Sequence, residues 1–577
     1  MLLKDFNFLN KNLKKDFSSL KKTKFACLGD SSTQFLVKAI RAHGFDEGFD
    51  LEMYEADYDQ IDFEISNNQS ELYQFKPSFV LIYESSEKLL KNFYKLNKQE
   101  KEQFADQKIQ QIKLMYERIS ENLSAKIIYF NFVELNDGLF GNFSNKEPSS
   151  FLYQIRKINL ELMQLASEQS NLFINDISLL SSQLGYASMF NAKTYISFDL
   201  ILNLDFLPLV AKNVLDIIKA ISGQVKKCII LDLDNTLWGG IIGDDGMSHI
   251  QIGTLGIGKA YTELQEWLKQ LKERGIILCV CSKNTESIAK EPFENHPDMV
   301  LRLTDISVFV ANWNNKVENI QYIQQVLNIA FDSIIFIDDN PFEREMVKTH
   351  IPEITVPDLP EDPVEYLSYL RQHYAFETAS YTKEDEGRTQ LYKIEAQRVI
   401  EQHAFTNEGD FLSSLNMLSD VQPFNEYAIP RIAQLTQRSN QFNLRTIRYT
   451  DDDIHAIAMD KHYRTYSFNL LDKFGDYGLI SAVILKIQEK TLFINTWIMS
   501  CRVLKRSMEA FIINQIIELA KQEGFELIVA EYIPTQKNVI VKDLYPELGF
   551  SKLDKPGNFY ELNIQQSNYI KTFIKKK

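Results

Sequence analysis

Cysteine is scarce in this chain of 577 residues: there are five, and no two of them form a CxxC pair. Cys27, Cys228, Cys279 and Cys281 fall in short apolar runs that read as buried strands, so neither disulfides nor a zinc site is expected. Cys501 is the exception, because it follows a strand-like run in a polar turn beside Arg502, where a neighbouring cation favours a thiolate. Uninterrupted apolar segments are missing as well. Charges break the opening MLLKDFNFLNKNLKKDF, and no later run approaches the roughly 20 residues of a membrane span, which leads to the expectation of a cytoplasmic protein without a signal peptide or membrane anchor. A basic excess is also lacking. Lys and Arg number 63 against 78 Asp and Glu, a formal net charge of −15, so a broad nucleic-acid surface is not expected, although a local basic patch is still compatible with the composition. No internal repeat and no low-complexity tract occurs.

What remains is the composition of an ordinary folded chain, 45% hydrophobic and 24% charged. Its length calls for about three domains. Residues 1–220 alternate apolar strands (KFACLGD, FVLIYES, KIIYFNF, NLFINDI) with amphipathic helices, an α/β pattern. The alternation restarts at KKCIILDLDNT and continues through IILCVCS and SIIFIDDN, which predicts a second, doubly wound parallel sheet over 221–374. The proline-rich and acidic VPDLPEDPVEY marks a linker or an irregular excursion before a boundary near 375. From there to 577, a charged helix over KEDEGRTQLYKIEAQRVIEQ and long β-rich runs such as GLISAVILKI and TLFINTWIMS predict an α+β unit.

The chemistry concentrates in CIILDLDNTLWGGIIGDDG. Asp232 and Asp234 stand two apart at the end of a hydrophobic strand and so share one face of it. The carboxyl ends of parallel strands are where such sheets bind ligands. Two carboxylates this close call for a cation, and Mg2+ suits oxygen donors. A second acidic pair, Asp338 and Asp339, ends SIIFIDDN. Ser282 closes IILCVCS and Lys316 opens the next helix, adding a hydroxyl and a fixed positive charge.

In that order, Asp232 to Thr236, Ser282, Lys316 and Asp338 with Asp339 resemble the four motifs of the haloacid dehalogenase superfamily. The resemblance implies that Asp232 is a nucleophile that becomes phosphorylated, and that Asp234 is general acid and then base. It implies that Thr236, Ser282 and Lys316 hold the phosphoryl group, and that Asp232, Asp338, Asp339 and the main-chain carbonyl of Asp234 bind Mg2+. The short spans between the motifs leave little room for a cap domain, which suits a large or protein-borne substrate, or one shielded by the flanking domains.

Further runs, among them FIDDNPFERE, RIAQLTQRSNQFNLRT, DKFGDYGLISAV and MSCRVLKRSME, are similar to FkbH-like proteins of haloacid dehalogenase subfamily IIIC over about 220–560. That similarity implies removal of phosphate from a substrate of the 1,3-bisphosphoglycerate type and transfer of its glyceryl unit to the phosphopantetheine thiol of an acyl carrier protein. The third segment resembles the GNAT acyltransferase fold. In that resemblance, the turn at Cys501 to Ser507 faces coenzyme A or phosphopantetheine, with Arg502, Lys505 and Arg506 near phosphate and Asn538 and Tyr545 in the acyl site. Tyr545 is either an acid or a packing residue, and Cys501 either an acyl-carrying thiol at a helix N-terminus or a structural one. Asn440, Gln441 and Asn443 are substrate-facing amides or turn formers. The GDSST of the first segment is similar to the opening block of SGNH esterases, with Ser31 in the nucleophile's place. The DxxH that would supply a base is missing, so a non-catalytic SGNH-like domain is expected. The alternatives to acyl transfer are a phosphatase of a sugar or other metabolite phosphate, and a scaffold whose sites are vestigial.

Overall fold

The computed structural model describes residues 5–373, 376–382, 385, 387–402, 405 and 407–577. Their contacts divide the chain into two compact units that part between Ile218 and Lys219.

In the first unit β1 (Lys21–Gly29), β2 (Phe49–Glu55), β3 (Phe79–Tyr83), β4 (Lys126–Phe130) and β5 (Leu172–Asn175) form one parallel sheet, in the order β2-β1-β3-β4-β5. Every residue of β3 is buried, as expected of a strand covered on both faces. Just past β1, Ser31 is buried and its Oγ has no hydrogen-bond partner, so nothing stands ready to take its proton. Its neighbour Asp30 accepts from Ser85 N at 2.8 Å and Ser85 Oγ at 3.0 Å. Burial, with the charge of Glu84 in support, pushes the Asp30 pKa up to about 6. A carboxyl whose folded pKa lies above its unfolded value stabilises most when neutral. Its contribution is present below about pH 4 and is lost as pH rises through 6. Asp30→Asn, which keeps an oxygen for Ser85, is therefore expected to raise the melting temperature of this unit at pH 8, by up to about 3 kcal/mol in stability. At pH 4 it should change little, and calorimetry of the full chain at the two pH values is the check.

In the second unit β6 (Cys228–Leu231), β7 (Ile277–Ser282), β8 (Ile306–Ala311) and β9 (Ile334–Ile337) make a parallel sheet ordered β8-β7-β6-β9. The period of two along each strand divides the core. Ile229, Leu231, Leu278 and Val280 pack on one face, while Cys228, Ile230, Cys279 and Cys281 pack on the other. The strand cysteines are thus packing residues, and the sulfurs of Cys228 and Cys279 stand 3.9 Å apart, far beyond a disulfide bond. The proline-rich stretch is an excursion of this layer, because Leu359, Tyr366, Leu370 and Phe376 bury against the Ile229 face.

The same unit holds a largely antiparallel sheet built on β10 (Leu418–Ser419), β11 (Val421–Gln422), β12 (Tyr463–Asp472), β13 (Gly475–Gln488), β14 (Thr491–Met499), β15 (Leu527–Glu531), β16 (Ser551–Lys552), β17 (Phe559–Asn563) and β18 (Lys575–Lys576). Helix Met508–Glu523 buries Phe511, Ile512, Ile513 and Ile516 against Trp497 and Ile494 of this sheet. The charged helix expected over KEDEGRTQLYKIEAQRVIEQ runs Arg388–Gln402, and Lys383, Glu384 and Glu386 lie outside the described residues. Hydrogen bonds fasten the two sheets' layers together: Asn328 donates to Cys501 O at 2.7 Å, Asn440 to Gly223 O at 3.1 Å, and Lys227 to Arg438 O at 3.2 Å. No described helix is long and apolar enough to cross a membrane.

Candidate active site

The parallel pairing of β6 with β7 and β9 brings three strand ends to one rim. Asp232 follows β6 and its N–H donates to Ile337 O at 2.9 Å, which locks the first acid beside the Asp338–Asp339 pair that follows β9. Lys316, at the start of helix Lys316–Leu327, reaches Asp338 Oδ2 at 2.6 Å and Asp232 Oδ1 at 3.1 Å. Asp232, Lys316 and Asp338 are all buried. Burial opposes the lysine's charge, yet the two carboxylates outweigh it and push its pKa up. Burial, then the charge of Asp232, drives Asp338 up to about 7 and raises Asp339 as well.

One lysine thus faces three carboxylates. Asp232, Asp338 and Asp339 each offer an oxygen, and the three atoms lie within 4.8 Å of one another. The Asp232 Oδ1 that Lys316 faces at 3.1 Å has no other partner. An all-oxygen donor set with excess negative charge fits a hard divalent cation.

Asp234 stands outside that cluster. Its Oδ1 accepts from Trp238 Nε1 and Ile242 N, each at 3.0 Å, and its Oδ2 from Asn284 Nδ2 at 3.2 Å. Burial, chiefly, raises its pKa, the direction that suits a general acid. The left-handed Asn235 (φ 55°) turns the chain here, and its Oδ1 accepts from Gly240 N at 2.9 Å. Beyond this turn the segment holds only the short helix Ile242–Asp245 and a bridge between Gly239 and Gln251. The span from Ser282 to Lys316 holds helix Glu286–Asn295 and β8, so neither span holds a cap domain.

Thr236 and Ser282, expected at a phosphoryl group, are both buried. Thr236 Oγ1 is spent locally, accepting from Asp339 N at 3.1 Å and donating to Asp339 Oδ1 at 3.3 Å. Three supporting residues have no motif of their own. Trp238 and Asn284 hold Asp234, and Arg344 donates to the main-chain oxygens of Asp338 and Asp339. The spacing of Arg344 from Asp338, six positions on and one helical turn past the strand end, was the available signal.

A structure of the N-terminal part of the protein BF1531 from Bacteroides fragilis, containing a phosphatase domain complexed with Mg, is 48% identical to this chain. It covers 66% of this chain and 100% of its own length, with a TM-score of 0.64. The model of the FkbH N-terminal domain matches residues 24–219. The chain belongs to the FkbH-like family. Shorter likenesses join this FkbH-like protein to the ribosomal-protein-S18-alanine N-acetyltransferase of Escherichia coli, at 12% identity over 26% of this chain and 96% of that one with a TM-score of 0.21. A GNAT-family acetyltransferase of Staphylococcus aureus Mu50 stands at 12% over 25% and 99%, with a TM-score of 0.21. Among curated proteins none matches the chain.

The third segment of the FkbH-like protein requires corrections. Arg506, expected near phosphate, is fully buried and ion-paired with Glu395 and with Asp472, the latter at 3.2 Å, so its charge is committed to these two acids. Asn538 is buried as well. Its amide ties Asn443 O, Ile533 O and Thr535 N together, which makes it a loop staple. Tyr545 packs between Trp497, Phe550 and Tyr560 with its hydroxyl unpartnered and its pKa raised by burial, a packing residue rather than an acid. Cys501 opens a 3-10 turn, Cys501–Val503, well before the helix that starts at Met508, so the helix N-terminus does not act on its thiol. That N-terminus is covered: Phe573 N donates to Ser507 Oγ and Thr572 Oγ1 to Ser507 O. Lys505 and Ser507 both hold left-handed backbone, φ 61° and 58°, the conformation for which the acyltransferase pattern carries glycine. Lys505 is exposed. Arg502 is buried against Ser500 with its Nη1 unpartnered. Asn440 and Gln441 face a cavity that Cys501 also lines, whereas Asn443 is a buried turn former that accepts from Thr446 N.

Proposed function

We propose that this FkbH-like protein is a Mg2+-dependent phosphatase and phosphotransferase of the haloacid dehalogenase type, with Asp232 as nucleophile, that also moves an acyl unit to an acyl carrier protein. The observation that supports the first part is the convergence of Asp232, Asp338 and Asp339 with Lys316 at the carboxyl end of a parallel sheet, with Asp234 held apart and partly desolvated. Asp232, Asp338 and Asp339 would hold Mg2+, which supplies charge compensation for an incoming phosphoryl group. The Mg in the Bacteroides fragilis relative agrees with this.

Asp232 Oδ attacks phosphorus in line, and the bond to the leaving oxygen breaks as Asp234 delivers its proton there. Asp234, now a carboxylate, takes a proton from water as that water attacks the aspartyl phosphate, which restores Asp232 and releases phosphate. Lys316 neutralises charge throughout, and Ser282 lines the phosphoryl position. Trp238 and Asn284 keep Asp234 aimed.

The acyl half rests on Cys501, the one cysteine outside a strand. Its thiolate attacks the carbonyl carbon of an acyl phosphate of the 1,3-bisphosphoglycerate type, the bond from that carbon to the phosphate oxygen breaks, and phosphate leaves. The phosphopantetheine thiol of the carrier then takes the acyl group and Cys501 departs as thiolate. The experiment is phosphate release with and without EDTA, together with intact mass of holo-carrier after incubation with the enzyme, Mg2+ and 1,3-bisphosphoglycerate. EDTA is expected to stop hydrolysis of aryl phosphates, and Mg2+ to restore it. Undiminished hydrolysis in EDTA would remove the metal assignment, and phosphate release with no glyceryl mass on the carrier would leave a plain phosphatase.

A further inference from the structure

The amino ends of β6 and β9 carry a second constellation, remote from the acids. A cavity of about 300 Å³ opens there, between the parallel sheet and the layer that carries Cys501. Asp232 stands at the other end of β6 from Lys227, five residues along an extended strand, a separation of about 16 Å. The cavity wall is cationic: Lys227, Arg388, Arg431, Arg438, Arg502 and Lys537 line it, with Asp332 as the lining carboxylate.

The described acids here are already engaged: Asp332 pairs with Lys537, and Asp385, just behind the wall, pairs with Arg388 and Arg438. Among the described residues, Lys227 and Arg502 have no carboxylate in an ion pair with them. Arg502 is 7% exposed and its Nη1 has no hydrogen-bond partner. A buried guanidinium nitrogen left bare is costly, and the usual remedy is an oxyanion that accepts from it. Burial, chiefly, pushes the Lys227 pKa down to about 8, with Arg388 and Arg438 adding to it and Cys501 and Asp332 opposing it. Gln441 also faces the space, while the neighbouring Asn440 amide is held by Gly223 O and Arg448. Asn328, which also lines it, holds the Cys501 carbonyl at 2.7 Å and fixes the thiol at the wall.

We infer that this cavity is a phosphate-binding site, separate from the Asp232 site, that holds the phosphate of a small ligand with Lys227 and Arg502 while the ligand's other end lies against Cys501. The inference builds on the role given to Cys501 above and adds the chemistry that recognises its substrate. Two sources present such a phosphate: a free phosphorylated three-carbon donor, or the phosphopantetheine arm of a carrier. For either, the cations neutralise phosphate about 16 Å from Asp232, so this site needs neither Asp232 nor the metal.

The test is the rate at which iodoacetamide alkylates Cys501, read by mass on its tryptic peptide in full-length protein with EDTA present. The four other cysteines are buried and serve as internal references. Inorganic phosphate, glycerol 3-phosphate and S-methyl phosphopantetheine are the probes, with chloride at matched ionic strength as control. Alkylation of Cys501 is expected to slow roughly tenfold once a probe exceeds its Kd about tenfold, equally in wild type and Asp232→Asn. Protection should be lost in Arg502→Gln and in Lys227→Met, and Lys537→Met, at a more exposed position, should weaken it. Stronger protection by glycerol 3-phosphate identifies the free donor, and stronger protection by S-methyl phosphopantetheine the carrier arm. No protection by any probe, equal protection by chloride, or protection abolished by Asp232→Asn and untouched by Arg502→Gln would overturn the inference. Failure of Cys501→Ser to alter carrier loading would instead overturn the acyl-thiol reading and leave the anion site standing.

Discussion

Asp232→Asn is expected to lower hydrolysis of p-nitrophenyl phosphate on the order of 10⁴-fold, as removal of a covalent nucleophile does elsewhere, without lowering the melting temperature. The two halves of that expectation come from the same geometry. Asn keeps the size of the side chain and the backbone bond from residue 232 N–H to Ile337 O, so the strand end is undisturbed. It removes, however, the charge that helps raise the pKa values of Asp338 and Asp339. Metal-free protein should therefore melt at the same temperature as the wild type or higher, because one of three mutually repelling carboxylates has gone. The gain on adding Mg2+ should shrink, since one of its three carboxylate ligands is lost. Steady-state assays with Mg2+ and thermal melts with and without it check both halves. Near-wild-type turnover would show that Asp232 is not the nucleophile, and a large fall in melting temperature would make the activity loss uninformative.

The second large effect concerns stability. Arg506→Met is expected to destabilise the second unit by about 3 kcal/mol, because it leaves the buried Asp472 without a cation and Glu395 with Arg398 alone. Glu395 and Asp472 are both almost wholly buried, and the guanidinium also lies 4.5 Å from the ring centre of Tyr477 and donates to Arg502 O at 2.8 Å. Methionine fills most of the volume but none of these functions. The double variant Arg506→Met with Asp472→Asn should recover part of the loss, since the orphaned charge goes with it. Urea unfolding of the single and double variants measures this. Loss below about 1 kcal/mol would mean the triad is hydrated, and would reopen Arg506 as a ligand contact.

The rim acids were legible because nothing but local order is needed to find them. A hydrophobic run followed by DLD or IDD places carboxylates at a strand end whatever the rest of the chain does, and the parallel sheet then gathers the ends. Lys316 was legible as the first residue of a helix. The reading failed where a residue's partner is far away in sequence. Arg506 stands next to Lys505 and looks like a surface pair, but its acids come from positions 395 and 472, and no local pattern announces them. Asn538 and Tyr545 fit a motif by type and spacing, yet burial decides that one staples a loop and the other fills a core. Cys501 was placed at a helix start because MSCRVLKRSME runs into one, and the intervening 3-10 turn moves it away. The cationic cavity was invisible for a related reason, since Lys227, Arg388, Arg438, Arg502 and Lys537 belong to separate segments that only the tertiary structure assembles.

Asp232 stands at one end of a four-residue strand, and the cavity lined by Lys227 and Cys501 at the other, which bears on the order of events during turnover. Ligands at the two ends would not exclude one another, so the carrier proposed to bind over Cys501 would leave the carboxyl rim free. Saturating the rim with a phosphate analogue would change the rate of one reaction without displacing the substrate of the other. The inhibition pattern between the two activities should then be noncompetitive, and whatever passes from one end to the other must travel around the sheet rather than through it.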